Sequence, residues 1–244
     1  MPFVTAGFPS MQATEDVIPV LESAGASIVE VGFPFSDPIA DGPVIAQSMA
    51  RALAAGVTPR DIFAAVRRIR SLTNIGLLAM VSDSIITRIG PERFVCDAAE
   101  AGFDGLIVPD VDLEAARPLS GLARLHKLSF TLLIAPTTSA ERIRQIASLC
   151  SGFIYVLARA GITGERDQLD IAALGERIAL IRRCTDLPLA VGFGVSRPEH
   201  VAAIRQVADA AIVGSALVRT MDQSSAAAAV EAAGRFVQSL SGGK

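Results

Sequence analysis

The chain has only three cysteines and two histidines among its 244 residues. Cys96, Cys150 and Cys184 are far apart, fall in helix-like stretches and form no CxxC pair. That argues against a metal site or a disulfide framework and for small buried hydrophobes. His126 and His200 have no partner at ligand spacing and read as helix-surface residues. A formal net charge of −3 leaves no basic surface for nucleic acid. Hydrophobic residues make up 51%, enough for a large core, yet no apolar run reaches the roughly 20 residues of a membrane span. The opening Met1-Pro2-Phe3-Val4 shows no charged segment leading into an apolar one, so no secretory signal is read and a cytoplasmic location is expected.

What is present is a rhythm. Short, near-continuous apolar runs, as in parallel strands buried on both faces, occupy residues 3–5, 27–31, 75–80, 105–108, 129–134, 153–157, 189–191 and 210–213. Between them lie segments with apolar residues at three- and four-residue spacing, such as 14–24 and 198–207. Strands alternating with helices imply an α/β fold with a parallel sheet and right-handed crossovers. Eight such units predict a closed (β/α)8 TIM barrel, for which ~250 residues is typical. Two smaller domains are also possible on length alone, but no Ser/Pro-rich linker divides the chain, so residues 1–244 are expected to form a single domain. A doubly wound sheet is the alternative, but the first turn, Ala6-Gly7-Phe8-Pro9, lacks the dinucleotide fingerprint. Gly25, Gly102 and Gly152 precede strands and are expected to end helices. Residues 239–244 are expected to fray.

In such barrels the chemistry lies at the C-terminal ends of the strands. There the second run ends in Val29-Glu30-Val31-Gly32. A glutamate in an apolar strand needs a reason, because burying its charge without a partner is unfavourable. One reading is an ion pair, with Arg159 the nearest candidate. The favoured one is a carboxyl with a raised pKa that exchanges protons near neutrality. Two aspartates follow. Asp37, between Ser36 and Pro38, fits a turn. Asp41, before Gly42-Pro43, fits a helix cap better than a catalytic group on composition alone.

Two glycine-rich turns, Gly192-Phe193-Gly194-Val195-Ser196 and Val213-Gly214-Ser215-Ala216, follow the seventh and eighth strands. In this fold those turns and a helix N-terminus form the usual phosphate site. Tight turns needing glycine for geometry alone are the bland alternative. Ala158-Arg159-Ala160-Gly161-Ile162-Thr163-Gly164-Glu165-Arg166-Asp167 is a long polar loop, either a lid or a plain surface connection. Tyr155, the single tyrosine, precedes it and either faces substrate or fills the barrel.

The stretch Glu30-Val31-Gly32-Phe33-Pro34-Phe35-Ser36-Asp37-Pro38-Ile39-Ala40-Asp41-Gly42-Pro43 resembles the signature of the tryptophan synthase alpha chain family. Pro2-Phe3-Val4-Thr5-Ala6-Gly7, Arg159-Ala160-Gly161-Ile162-Thr163-Gly164, Gly192-Phe193-Gly194 and Gly214-Ser215-Ala216 match in order, so the resemblance spans nearly the whole chain. It implies a lyase of tryptophan biosynthesis that splits indole-3-glycerol phosphate by retro-aldol cleavage into indole and glyceraldehyde 3-phosphate. It implies Glu30 as general acid/base and Asp41 as second catalytic carboxylate. Gly164, Gly194, Gly214 and Ser215 would hold the phosphate, Phe3 and Tyr155 would flank the indole, and Thr163 would sit on the closing loop. No cofactor is implied here: pyridoxal phosphate belongs to a partner beta chain in an α2β2 heterotetramer. A stand-alone lyase releasing indole, a non-catalytic subunit regulating a beta chain, and another phosphate-binding barrel are the competing readings. The retained Glu30 and Asp41 speak against the second of these, and the Glu30-to-Pro43 match against the third.

The chain departs from that family in three places. The family usually has a helix before its first strand, so either the natural start lies upstream or the barrel bottom is exposed. Met80-Val81-Ser82-Asp83-Ser84-Ile85-Ile86 lacks the common Tyr-Asn-Pro pattern in a region that helps meet the beta chain. Ala158 stands where serine is usual, and Asp112 where proline is common.

Overall fold

The computed structural model describes residues 1–37, 41–158, 170–192, 194–223 and 225–242. Its strands are β1 (Phe3–Thr5), β2 (Ile28–Gly32), β3 (Gly76–Met80), β4 (Gly105–Ile107), β5 (Ser129–Thr131), β6 (Leu133–Ile134), β7 (Ile154–Leu157), β8 (Leu189–Gly192) and β9 (Ala210–Ala211). All pair in parallel, in the orders β1-β2-β3-β4-β5 and β6-β7-β8-β9. β5 and β6 are two halves of one barrel strand. They part at Leu132, whose N–H turns to the Cys150 sulfur, 3.3 Å away. The ring closes where Pro2 bridges Val213 in parallel, with the Phe3 N–H donating to the Val213 carbonyl at 2.9 Å. Eight strands thus form a closed (β/α)8 barrel, with no free sheet edge among the described residues.

Side-chain alternation sorts the core. Val29, Val31, Leu77, Ala79 and Leu106 face outward into the apolar layer under the helices. Leu78, Ile107, Phe153, Tyr155, Ala190 and Ile212 pack together inside the barrel. Ile28, Glu30 and Gly32 share the inward face of β2. Four phenylalanines fasten the end of β2 to the helical layer: the Phe33 ring lies 5.5 Å from Phe63 and 5.6 Å from Phe94, and Phe63 lies 6.3 Å from Phe103.

The N-terminal rim carries one device twice. The Asp104 carboxylate accepts the Leu77 N–H (2.7 Å) and Arg70 (3.1 Å). The Asp209 carboxylate accepts the Leu189 N–H (2.8 Å) and Arg182 (3.1 Å). In both, the arginine stands seven residues before the strand N–H that its aspartate receives. Each clamp satisfies the first donors of a strand where the ladder begins.

Some local expectations are met and others corrected. Gly102 ends its helix in the left-handed conformation at φ 99°, and Gly25 (φ 98°) follows the Ala24 cap. Gly152 is no cap: Cys150 ends that helix, and Gly152 sits in the turn before β7. Of the cysteines only Cys150 is buried; Cys96 and Cys184 are half-buried. Asp112 caps the helix Leu113–Leu125, accepting from the Glu114 and Ala115 N–H groups. The C-terminal segment does not fray at residue 239. Its helix runs to Leu240, and the Ser241 hydroxyl donates to the Ala24 carbonyl at 2.9 Å. Among the described residues, no helix is long and apolar enough to cross a membrane.

Candidate functional site

Glu30 lies one inward-facing position below the end of β2, registered between Phe3 on β1 and Leu78 on β3. It is fully buried. Neither carboxyl oxygen has a hydrogen-bond partner among the described residues. An ionised carboxylate there would have shed its water with no donor in exchange. Burial therefore pushes its pKa up to about 8, against a smaller opposing pull from the Met1 ammonium group. At neutral pH Glu30 is mostly the neutral acid. Arg159, the ion-pair candidate, lies outside the described residues.

Asp41 precedes the helix Pro43–Ala54 but does not cap it. Gly42 is the N-cap and makes no side-chain cap, and Pro43 begins the helix. The capping expectation is thereby overturned: Pro43 in the first turn moves the boundary one residue past Asp41. Asp41 is half-buried, and burial raises its pKa to about 6. Asp37 is exposed.

The two aromatic expectations meet these carboxylates. Tyr155, on the inward face of β7, is held well above the usual phenol range, first by burial and then by the negative charges of Glu30 and Asp41. All three groups therefore share one electrostatic neighbourhood. Each ring occupies space that a glycine vacates. A Cβ on Gly192 would lie 2.3 Å from the Tyr155 hydroxyl, and one on Gly32 would lie 2.4 Å from the Phe3 ring. Side chains at these strand ends would push both rings out of the barrel mouth.

Gly194, in the turn after β8, adopts φ 88°. Gly214 is the N-cap of the helix Ser215–Thr220, with no side-chain cap. Gly214 and Ser215 are half-buried, on the segment that follows β9. Their backbone donors suit an anion. Thr163, Gly164, Phe193 and most of the expected lid lie outside the described residues.

The sequence reading missed three polar groups here. His200, taken as a surface residue, is buried, and its Nδ1 accepts the Ser196 N–H at 3.3 Å. It ties down the turn that contains Gly194. The four-residue spacing between Ser196 and His200 was the available signal. Thr5 and Ser48, both buried, join through their hydroxyls at 2.7 Å, which no sequence pattern announced. The divergent stretch after β3 forms its own cap: the Ser82 hydroxyl (2.6 Å) and Asp83 N–H (2.9 Å) donate to Asp110. A cavity of about 970 Å³ lies outside the barrel, between Pro34–Ser36 and the helices Pro59–Ile69 and Asp83–Ile89. Neither Glu30 nor Asp41 lines it.

Comparison with known proteins agrees with this geometry. Residues 1–241 match the family described as tryptophan synthase alpha chain. A tryptophan synthase alpha chain of Chloroflexus aggregans is 43% identical over 241 residues, covering 98% of this chain and 90% of its own. The tryptophan synthase alpha subunit structure of Pyrococcus furiosus superposes with a TM-score of 0.89 at 33% identity, covering 99% and 96% of the two chains. A chain from the tryptophan synthase complex of the same organism gives 0.88 at 32% identity, with 99% and 96% covered. On this evidence the chain belongs to the tryptophan synthase alpha chain family and is an alpha subunit of the enzyme that makes tryptophan.

Proposed function

We propose that this chain is a carbon–carbon lyase that cleaves indole-3-glycerol phosphate to indole and glyceraldehyde 3-phosphate, with residues 1–244 acting as one barrel domain. The observation that carries the proposal is Glu30: a neutral, fully buried acid with no hydrogen-bond partner among the described residues, facing the interior of the barrel. Such a group is a proton donor waiting for an acceptor. In the proposed reaction Glu30 gives its proton to the ring carbon that bears the glycerol chain. Positive charge then develops at the ring nitrogen, where the Asp41 carboxylate stabilises it. The Glu30 carboxylate next takes the proton of the hydroxyl beside the ring. The carbon–carbon bond breaks as that oxygen becomes the aldehyde carbonyl, and its electrons restore the indole. Glu30 ends protonated, ready for another turnover.

The remaining residues supply binding. Gly164, Gly194, Gly214 and Ser215 are assigned to the phosphate, Phe3 and Tyr155 to the indole faces, and Thr163 to the closing loop. The chain needs no cofactor for these steps. The chain is proposed to pair with a pyridoxal-phosphate beta chain in an α2β2 assembly, a reading supported by the superposition on a chain from a tryptophan synthase complex. The cap at Ser82, Asp83 and Asp110 gives the stand-alone lyase a specific footing, because it lies in the stretch whose sequence departs from the family where the family meets its partner.

One assay separates these readings. Indole release from indole-3-glycerol phosphate is measured with the chain alone and with added beta chain. Cleavage with strong stimulation supports the subunit reading, and equal rates in both arms favour the stand-alone lyase. No cleavage in either arm overturns the lyase assignment.

A further inference from the structure

We infer that Thr5 and Ser48 form a positioning relay that sets where Asp41 stands relative to Glu30. The inference rests on the proposed role of Asp41. Ser48 lies on the buried face of the helix Pro43–Ala54, with Ile45, Met49 and Ala52. Its hydroxyl donates to the Ile45 carbonyl at 2.7 Å. A carbonyl only accepts, so the single Ser48 proton is committed there. The 2.7 Å contact between the two hydroxyls must then run from Thr5 as donor to Ser48 as acceptor. The relay thus passes from the end of β1 into the first turn of the helix, one turn from Asp41.

β1 thereby touches both carboxylates' supports. Phe3 is registered with Glu30, and Thr5 with Gly32 at the end of β2. Thr5 shares the Phe3 face and grips the helix that follows Asp41. Gly42, the N-cap of that helix, offers no side-chain cap, so the Thr5–Ser48 pair supplies a side-chain tie one turn further on. Burial alone does not call for hydroxyls here: valine and alanine would fill the same space, and buried polar groups are tolerated only when paired. Directional bonds fix orientation where apolar contacts leave it free. Further along, Arg51 reaches Asp222 at 2.6 Å and lies 4.6 Å over the Phe8 ring. That pair is exposed and holds the helix only weakly.

The test uses Thr5→Val, Ser48→Ala, their double variant, and Asp41→Asn, each assayed for cleavage of indole-3-glycerol phosphate. Ser48→Ala strands the Thr5 hydroxyl, so its loss mixes stability with position. The double variant removes both hydroxyls, which leaves stability nearly unchanged. The double variant is expected to melt near the wild type and to keep KM within about twofold, while kcat drops roughly tenfold or more, in line with the penalty for small misplacements. If it does not fold well, the kcat-against-KM split of Ser48→Ala decides at a temperature where that variant is folded. A kcat within about twofold of wild type, or an effect confined to KM, overturns the relay. Asp41→Asn separates the two ideas: full activity there removes the role of Asp41 itself, whereas an inactive Asp41→Asn beside a fully active double variant sinks the relay alone.

Discussion

Replacing Glu30 by glutamine removes a proton-binding group whose pKa lies near 8 in the folded chain and near 4.5 in an open one. Between these values the folded state holds one proton more than the unfolded state. Stability contributed by this site is therefore fully present below about pH 4.5 and is lost as pH rises towards 8. At about 1.4 kcal/mol per pH unit, the gap amounts to a ceiling of ~5 kcal/mol. Water entering with the ionised carboxylate brings the measured value below that ceiling. Glutamine does not titrate. The difference in unfolding free energy between wild type and Glu30→Gln should then shift in favour of the variant by up to about 4 kcal/mol between pH 5 and pH 8.5. In a chain of this size that corresponds to a relative change in melting temperature of about 10 °C. Urea and thermal unfolding followed by circular dichroism at pH 5, 6.5 and 8.5, without ligand, measure it. A difference that stays constant across this range would refute the claim that Glu30 is buried as a neutral acid.

Three further outcomes follow from the same structure. The rate profile of kcat/KM should be bell-shaped with limbs near pH 6 and pH 8, because Asp41 must be ionised and Glu30 protonated; activity still rising through pH 8.5 would contradict that assignment. Asp104→Ala or Asp209→Ala, each releasing a strand N–H and an arginine at the N-terminal rim, should lower unfolding free energy by about 1.5–3 kcal/mol with kcat unchanged, read by denaturation and the cleavage assay together. His200→Leu removes the acceptor for the Ser196 N–H and should raise KM several-fold with little change in kcat, since the Gly194 turn is proposed to bind phosphate rather than react. Steady-state kinetics distinguish this from a loss confined to kcat.

Much of the barrel was legible because parallel strands buried on both faces leave an unmistakable apolar run. Residues 75–80 and 189–191 were placed within a residue of β3 and β8. The break at Leu132 was not legible, because it depends on Cys150, eighteen residues away. Glu30 announced itself by being an acid where only apolar residues belong. Asp41 did not, since its distinction from a cap turns on whether the helix starts at Gly42 or at Pro43. His200 was misread because it was judged by the lack of a partner at ligand spacing, although it shares the buried face of its helix with Ile204, one turn on. The Thr5–Ser48 pair joins residues forty-three apart, and only the folded chain brings them together.

The most direct test of the chemistry is single-turnover cleavage of indole-3-glycerol phosphate by Glu30→Gln, alongside binding of an unreactive phosphate analogue of the substrate. Loss of a general acid is worth roughly 10²–10⁴ in rate. The variant should therefore bind the analogue as the wild type does and cleave at least a hundredfold more slowly. Wild-type cleavage by a folded Glu30→Gln chain would contradict the role assigned to Glu30.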